Sequence, residues 1–99
     1  MLTKSTAHEI AEALEHLPGW SFKDDSLVKR FSFKTYMDGI RFVEMVAVDA
    51  EAKDHHPDLL ARYSDVTVFL STHSADGVTR KDLDSAKDIE RIAALLGAV

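Results

Sequence analysis

Three of the five histidines in this 99-residue chain lie near one another in the sequence, where they could transfer protons. His55 and His56 are adjacent and precede Pro57, and His73 follows an apolar run that ends at Leu70. Adjacent side chains usually diverge, so such a pair fills a core poorly and is more typical of a site. An imidazole, with a reference pKa of about 6.5, can donate a proton in one step and accept one in another. Two imidazoles across a pocket suit an elimination, in which a hydroxyl leaves as water and a neighbouring N–H is deprotonated.

Two other interpretations of these histidines stay open at this point. A pair of histidines is often only a polar turn. Three histidines could also bind a metal ion, as in catalytic zinc sites. The HExxH spacing is missing, however, and adjacent histidines rarely bind one ion together, so we expect no metal. The remaining two, His8 and His16, fall on the first predicted helix, far from the others in sequence, and we expect both on the surface.

Two carboxylates have positions from which they could support the histidines. Glu51 lies four residues before His55 and could hold that imidazole by a hydrogen bond, or it could be a solvated helix charge. Asp82 lies three residues after Thr79, where an acid stabilises the start of a helix through the backbone N–H groups. Capping is the simpler account of Asp82, and ligand binding at the same loop is compatible with it.

The composition limits the classes of protein that the chain can represent. It is 45% hydrophobic and 29% charged, which is ordinary for a folded protein, and its length predicts a single domain over 1–99. The net charge of −5 offers no basic stripe, so we expect no nucleic-acid partner. No cysteine is present, which excludes disulfides and cysteine-ligated metals. No signal-peptide core or membrane-length apolar run is visible, and we expect no membrane partner and a cytoplasmic location.

Apolar periodicity and turn residues predict three helices and four strands. The order α-β-β-α-β-β-α predicts an α+β fold, a four-stranded antiparallel sheet with helices on one face. If the two hairpins pair, the end of the second helix near His55 converges with the end of the last strand near His73. If the pleat of that strand continues, His73 faces the same way as Phe69. The predicted helices are 5–17, 35–53 and a third from Thr79 onward, and the predicted strands are 20–22, 27–33, 59–63 and 66–72.

The predicted helix 35–53 has apolar residues on more than one side. Met37, Met45 and Val48 lie outside its expected buried stripe. They are either scattered surface apolar residues or a second contact surface on another subunit, which would help so small a domain. The residues expected in the buried stripe are Tyr36, Ile40, Val43, Ala47 and Ala50, widened by Phe42 and Val46.

The candidate residues fall into one pattern, Glu51-x3-His55-His56-Pro57-x5-Tyr63-x9-His73-x8-Asp82. In every spaced position this pattern resembles the signature of the pterin-4a-carbinolamine dehydratases. The stretches "RFSFKTY", "LSTHSADGVTRKD" and "AKDIERIAALLG" are also similar to that family, and the resemblance covers the chain from about Leu14 onward. One departure is Leu59, where many members have Trp, and we expect it to loosen one wall of the pocket.

The resemblance implies a two-layer α+β domain and a hydro-lyase activity. The reaction would be dehydration of 4a-hydroxytetrahydrobiopterin to quinonoid dihydrobiopterin, in the recycling of tetrahydrobiopterin used by aromatic amino acid hydroxylases. The pterin is the substrate, and no cofactor is implied. His55 and His73 would be the acid/base pair, with His56 as the third catalytic histidine, bound to the pterin ring, and Glu51 in support. The implied substrate-binding residues are His55, His56, Pro57, Thr72, His73, Ser74, Ala75 and Asp82.

The resemblance also implies a homo-oligomer, a dimer or a tetramer, packed through the long helix 35–53. Two alternative functions stay open. Animal members act as dimerisation cofactors of a homeodomain transcription factor, so a non-catalytic protein-binding role is one alternative. The other is pterin chemistry in molybdenum-cofactor metabolism.

Overall fold

The computed structural model describes residues 2–99, and in that range it has three α-helices, four β-strands and one 3₁₀ turn. Their order confirms the predicted α+β fold. No helix in this range has the length and apolar character needed to cross a membrane. The helices are α1 (Ala7–Leu14), α2 (Tyr36–Lys53) and α3 (Arg80–Leu95), the strands are β1 (Ser21–Lys23), β2 (Ser26–Ser32), β3 (Asp58–Ala61) and β4 (Asp65–Leu70), and the 3₁₀ turn is His73–Ala75.

The four strands form one antiparallel sheet in the order β1-β2-β4-β3. The two predicted hairpins therefore pair through their inner strands, with Leu27 opposite Leu70 and Ser32 opposite Asp65. On the other side of β4, Asp58 pairs with Phe69. This register puts the chain that leaves α2 beside the carboxyl end of β4.

Alternate residues of the two central strands face the helices and form the core. Val66, Val68 and Leu70 of β4 are buried, as the alternation predicts. Phe42 of α2 is fully buried against them, and its ring centroid lies 5.0 Å from that of Phe31 and 5.1 Å from that of Phe33. Tilted aromatic pairs at these distances add to the gain from burial. The apolar period of the last helix predicts a buried stripe of Leu83, Ala86, Ile89, Ala93 and Leu96, and the first four are buried whereas Leu96, just after α3, is only partly buried.

The buried face of α2 differs from the predicted stripe. Tyr36 is half-exposed and stacks on Tyr63 at the surface, and Ala47 is exposed. A helical wheel counts apolar residues but cannot tell which of two adjacent stripes meets the sheet. The side of α2 that carries Gly39 is the one in contact with the sheet, since a Cβ there would lie at ordinary contact distance, 3.6 Å, from the Phe33 and Val66 side chains. The residues of α2 that are buried are Gly39, Phe42, Val46 and Ala50.

The ends of α2 and β4 set the direction of the segments that carry the three histidines. At the end of α2, Asp54 adopts the left-handed conformation (φ 52°), and Pro57 disfavours helical geometry at His56. β4 ends at Leu70, two residues before the predicted end, because Thr72 N–H bonds to Gly77 O (2.8 Å) and turns the chain. The pleat therefore does not continue to His73. α1 is shorter than the predicted 5–17, since the Thr6 capping box sets its start.

The aromatic packing around Phe42 should dominate the stability of the fold. We expect Phe42→Ala to lower the free energy of unfolding by about 3–5 kcal/mol, because it removes a fully buried ring and leaves a cavity. Phe22→Ala is the matched control, since Phe22 on β1 is 45% exposed, and it should cost about 1 kcal/mol or less. Urea unfolding of both variants measures the difference, and equal losses would contradict this account of the core.

Candidate active site

The end of α2 and the end of β4 border one cavity of about 340 Å³. All three histidines of the signature line it, as the convergence of the two segments predicted. Two larger cavities, on other parts of the described surface, contain none of the signature residues. The residues that line the histidine cavity are Leu2, Asp54, His55, His56, Pro57, Asp58, Ser71, Thr72, His73, Ser74 and Lys81.

A fully buried carboxylate holds His55. The Nε2 atom of His55 lies 2.6 Å from Asp82 Oδ1, and the His55 side chain is itself mostly buried. Asp82 Oδ2 accepts hydrogen bonds from Thr72 Oγ1 (2.8 Å) and from the backbone N–H of Thr79 (2.9 Å). The bond to Thr79 completes the predicted capping box of α3. Asp82 thus caps the helix and holds the imidazole at the same time.

Glu51 holds His56, and the predicted bond to His55 is wrong. Glu51 Oε1 lies 2.6 Å from His56 Nε2, and both side chains are more than half exposed. The i, i+4 geometry of a helix ends at Lys53, because left-handed Asp54 redirects the chain before His55. The ring of His55 therefore meets Asp82, and His56 is the imidazole that reaches back to Glu51. Solvent screens such a pair, so it orients His56 more than it stabilises the fold.

The segment after β4 supplies the opposite side of the cavity. Thr72 is buried, whereas His73 and Ser74 are exposed at the start of the 3₁₀ turn. Ala75 closes that turn through a bond from its N–H to Thr72 O (3.0 Å). Against expectation, neither Ala75 nor the fully buried Asp82 lines the cavity. The looser wall expected at Leu59 stays a prediction. Leu59 packs against the core and does not line the cavity.

Several residues of the cavity were not predicted as site residues. Lys81 is the second residue of α3 and belongs to the stretch "LSTHSADGVTRKD", which resembles the family. Its position next to Asp82 could therefore have identified it as a site residue. The sequence contains no signal for Leu2. It reaches the cavity because the Ser5 N–H bonds to Val78 O (2.8 Å), which aligns the first residues with the loop before α3. His8 and His16 are exposed on or just after α1, as predicted.

Among residues 2–99 no three side chains of His, Cys, Asp or Glu are grouped so that they could hold a metal ion. The cavity itself offers the proton-transfer chemistry of its imidazoles. His55 carries a buried carboxylate partner, and His73 is open to solvent across the cavity. An antiparallel α+β fold with this pair at one edge of its sheet is a scaffold for histidine acid/base chemistry.

Comparison with known proteins gives the family of the chain. A family model described as pterin 4 alpha carbinolamine dehydratase matches residues 3–92. A relative from Picosynechococcus sp. is 42% identical over 92 residues, which cover 93% of this chain and 100% of that protein. One from Mycobacterium leprae is 44% identical over 91 residues, covering 92% and 97%. Both carry the provisional name of a pterin-4-alpha-carbinolamine dehydratase. The chain belongs to the pterin-4a-carbinolamine dehydratase family.

Two solved structures share the fold, and one of them also agrees with the family assignment. The crystal structure of a transcriptional coactivator/pterin dehydratase from Brucella melitensis superposes with a TM-score of 0.88 at 36% identity, covering 92% of this chain and 99% of that one. A pterin dehydratase-like protein identified as a RuBisCO assembly factor of the alpha-carboxysome has a TM-score of 0.54 at 23% identity. This second match covers 81% of the present chain and supports the fold alone.

Removing the Asp82 carboxylate should destabilise the fold markedly. We expect Asp82→Ala to lower the free energy of unfolding by about 2–4 kcal/mol, because it leaves the Thr72 hydroxyl and the Thr79 N–H buried without their acceptor. Asp84→Ala is the control on the same helix, where the exposed carboxylate pairs only with Arg80, and it should stay within about 0.5 kcal/mol. Thermal or urea unfolding compares them, and a neutral Asp82→Ala would refute the structural role.

Proposed function

We propose that this protein dehydrates 4a-hydroxytetrahydrobiopterin to quinonoid dihydrobiopterin and water, in the recycling of tetrahydrobiopterin. The observation that carries the proposal is that His55, held by buried Asp82, and His73 line one cavity. Membership of the dehydratase family supports it. The cavity is also at the small end of the range typical of ligand sites, which suits a bicyclic pterin.

His55 is the general base in this proposal. It accepts the proton of a pterin ring N–H, and the electron pair of that bond moves into the ring as the C4a–O bond breaks. Asp82 favours this role because its carboxylate, 2.6 Å from Nε2, stabilises the imidazolium that forms. No change in the fold is needed, since the carboxylate is already in place before the proton moves.

His73 is the general acid. Among residues 2–99 no carboxylate is paired with it, and its exposed position in the 3₁₀ turn leaves its ring available to a ligand. It donates a proton to the leaving 4a-hydroxyl, which departs as water. The two histidines then exchange protons with solvent and return to their starting states. His56, oriented by Glu51, contacts the pterin ring beside Pro57.

Loss of either proton-transfer group should slow turnover strongly. We expect His55→Ala and His73→Ala each to lower the catalysed rate by about 10²–10⁴-fold, the usual contribution of a positioned acid or base. A stopped-flow assay with 4a-hydroxytetrahydropterin measures this after the spontaneous dehydration is subtracted. His16→Ala, which removes an exposed histidine outside the cavity, should keep the wild-type rate. Undiminished turnover in both cavity variants would overturn the proposal.

We also propose that the protein is a homo-oligomer, a dimer or a tetramer, assembled through α2. Met37, Met45 and Val48 are exposed on the side of α2 that turns away from the sheet, and Val48 is 67% exposed. Three such residues on one helix form an apolar surface that association would cover. Closed symmetry with self-complementary two-fold contacts is the expected arrangement.

A charge on this surface should disturb the assembly. We expect Met45→Glu to shift the population toward smaller species, because it places an unpaired charge in the interface. Sedimentation velocity at micromolar concentration gives the masses directly. His16→Glu introduces the same charge away from α2 and should leave the assembly unchanged. A wild-type protein that sediments as an 11.0 kDa monomer would end this proposal.

A further inference from the structure

A chain of hydroxyl groups lies behind Asp82. Thr72 Oγ1 is 2.8 Å from Asp82 Oδ2 and 2.8 Å from Thr79 Oγ1, and Thr79 Oγ1 is 3.3 Å from the backbone N of Lys81. Thr72 is 5% exposed, and Thr79 and Asp82 are fully buried. Water therefore has little access to these atoms, and each of their hydrogens must be placed on a protein acceptor.

The hydrogens of this chain can be assigned by counting. A backbone N–H can only donate, so Thr79 Oγ1 accepts from Lys81, and its own hydrogen is available for Thr72 Oγ1. Thr72 then gives its single hydrogen to Asp82 Oδ2. The backbone N–H of Thr79 donates to the same oxygen. If Thr72 donated to Thr79 Oγ1 instead, no hydrogen would lie between Thr72 Oγ1 and Asp82 Oδ2, which a buried contact of 2.8 Å does not permit.

The carboxylate of Asp82 determines the proton on His55, and the hydroxyl chain shows that its Oδ2 carries no proton. With Oδ2 occupied by two donors, the carboxylate presents Oδ1 to His55 as an acceptor, so Nε2 must carry the hydrogen. In the neutral ring the lone pair then belongs to Nδ1. The structure assigns His55 to the Nε2–H tautomer, with Nδ1 as the atom that accepts the substrate proton and with Thr72, Thr79 and Asp82 as positioning residues. The role of Nδ1 as base rests on the proposed function, whereas the tautomer does not.

Asp82→Asn tests the direction of the chain. Both Thr72 and Thr79 donate toward the Oδ2 position, so the amide oxygen of the asparagine should occupy it and the amide NH₂ should face His55. Nε2 must then accept, and the hydrogen must move to Nδ1. The expected result is a switch of tautomer together with a loss in kcat approaching 10⁴-fold, the size seen when a catalytic histidine is held in the wrong tautomer.

Long-range ¹H–¹⁵N spectra of ¹⁵N-labelled protein read the tautomer directly without substrate. They are recorded at alkaline pH, where the ring signals no longer change. The wild type should show His55 protonated at Nε2, and Asp82→Asn should show it protonated at Nδ1. A wild-type signal from Nδ1–H, or an Asp82→Asn variant that keeps Nε2–H, overturns the assignment. Since no turnover is involved, a correct tautomer in an inactive wild type would reject the dehydratase proposal alone.

Thr72 supplies a second test, which is needed if Asp82→Asn does not fold. Thr72→Val keeps the volume but removes the donor to Asp82, and we expect kcat to fall about three- to tenfold with KM unchanged. Thr72→Ser retains the hydroxyl and should restore the rate. Thr35→Val removes a hydroxyl outside this chain of hydrogen bonds, the one that caps the start of α2, and should leave kcat unchanged. A rise in KM without a fall in kcat would make Thr72 a substrate contact and overturn its positioning role.

Discussion

The carboxylate of Asp82 is the one group on which the arrangement of the site depends. It is fully buried, and the cost of taking a charge out of water is large unless hydrogen bonds replace the lost hydration. Its partners come from three separate segments, namely the end of α2 through His55, the end of β4 through Thr72 and the start of α3 through Thr79. The same interactions that make its burial tolerable therefore join the segments that form the cavity.

The sheet makes this convergence possible. Pairing of β3 with β4 brings the His55–Pro57 segment alongside the end of β4, and the turn at Gly77 then returns the chain to the beginning of α3. The site lies where α2 and β4 end and α3 begins, and the core holds these three elements in place. Its histidines differ in environment for that reason: His55 is mostly buried, whereas His73 and His56 remain open to solvent.

Local signals were sufficient to predict the element order and the convergence of the histidines. Pro57 and the caps at Thr35 and Thr79 marked the helix ends, and alternation in β4 marked its buried face. The partner of His55 was not predictable, because sequence spacing favours the near residue Glu51 and the true partner lies 27 residues away. It depends on the left-handed turn at Asp54, for which the sequence contains no glycine as a signal.

The errors in α2 and in the site have a related cause. Which apolar stripe of α2 meets the sheet is a property of the packed structure and not of the helical pattern, and the buried side carries Gly39, Phe42 and Val46. Ala75 was assigned from the family resemblance, whereas the structure places it in the 3₁₀ turn and not in the lining of the cavity. The direction of the hydrogen bonds through Thr72 required the distances themselves, since hydroxyl groups donate and accept equally well.

The two ends of the described chain differ in how an added segment would affect the protein. Leu2 borders the histidine cavity, and the Ser5–Val78 bond fixes the residues that follow it. The other end lies beside Ser32, to which Val99 donates a hydrogen bond (2.9 Å), at the far end of the central strand pair. An affinity tag or fluorescent fusion ahead of Leu2 would therefore emerge at the cavity, whereas the same fusion after Val99 would emerge about 17 Å along the sheet from it.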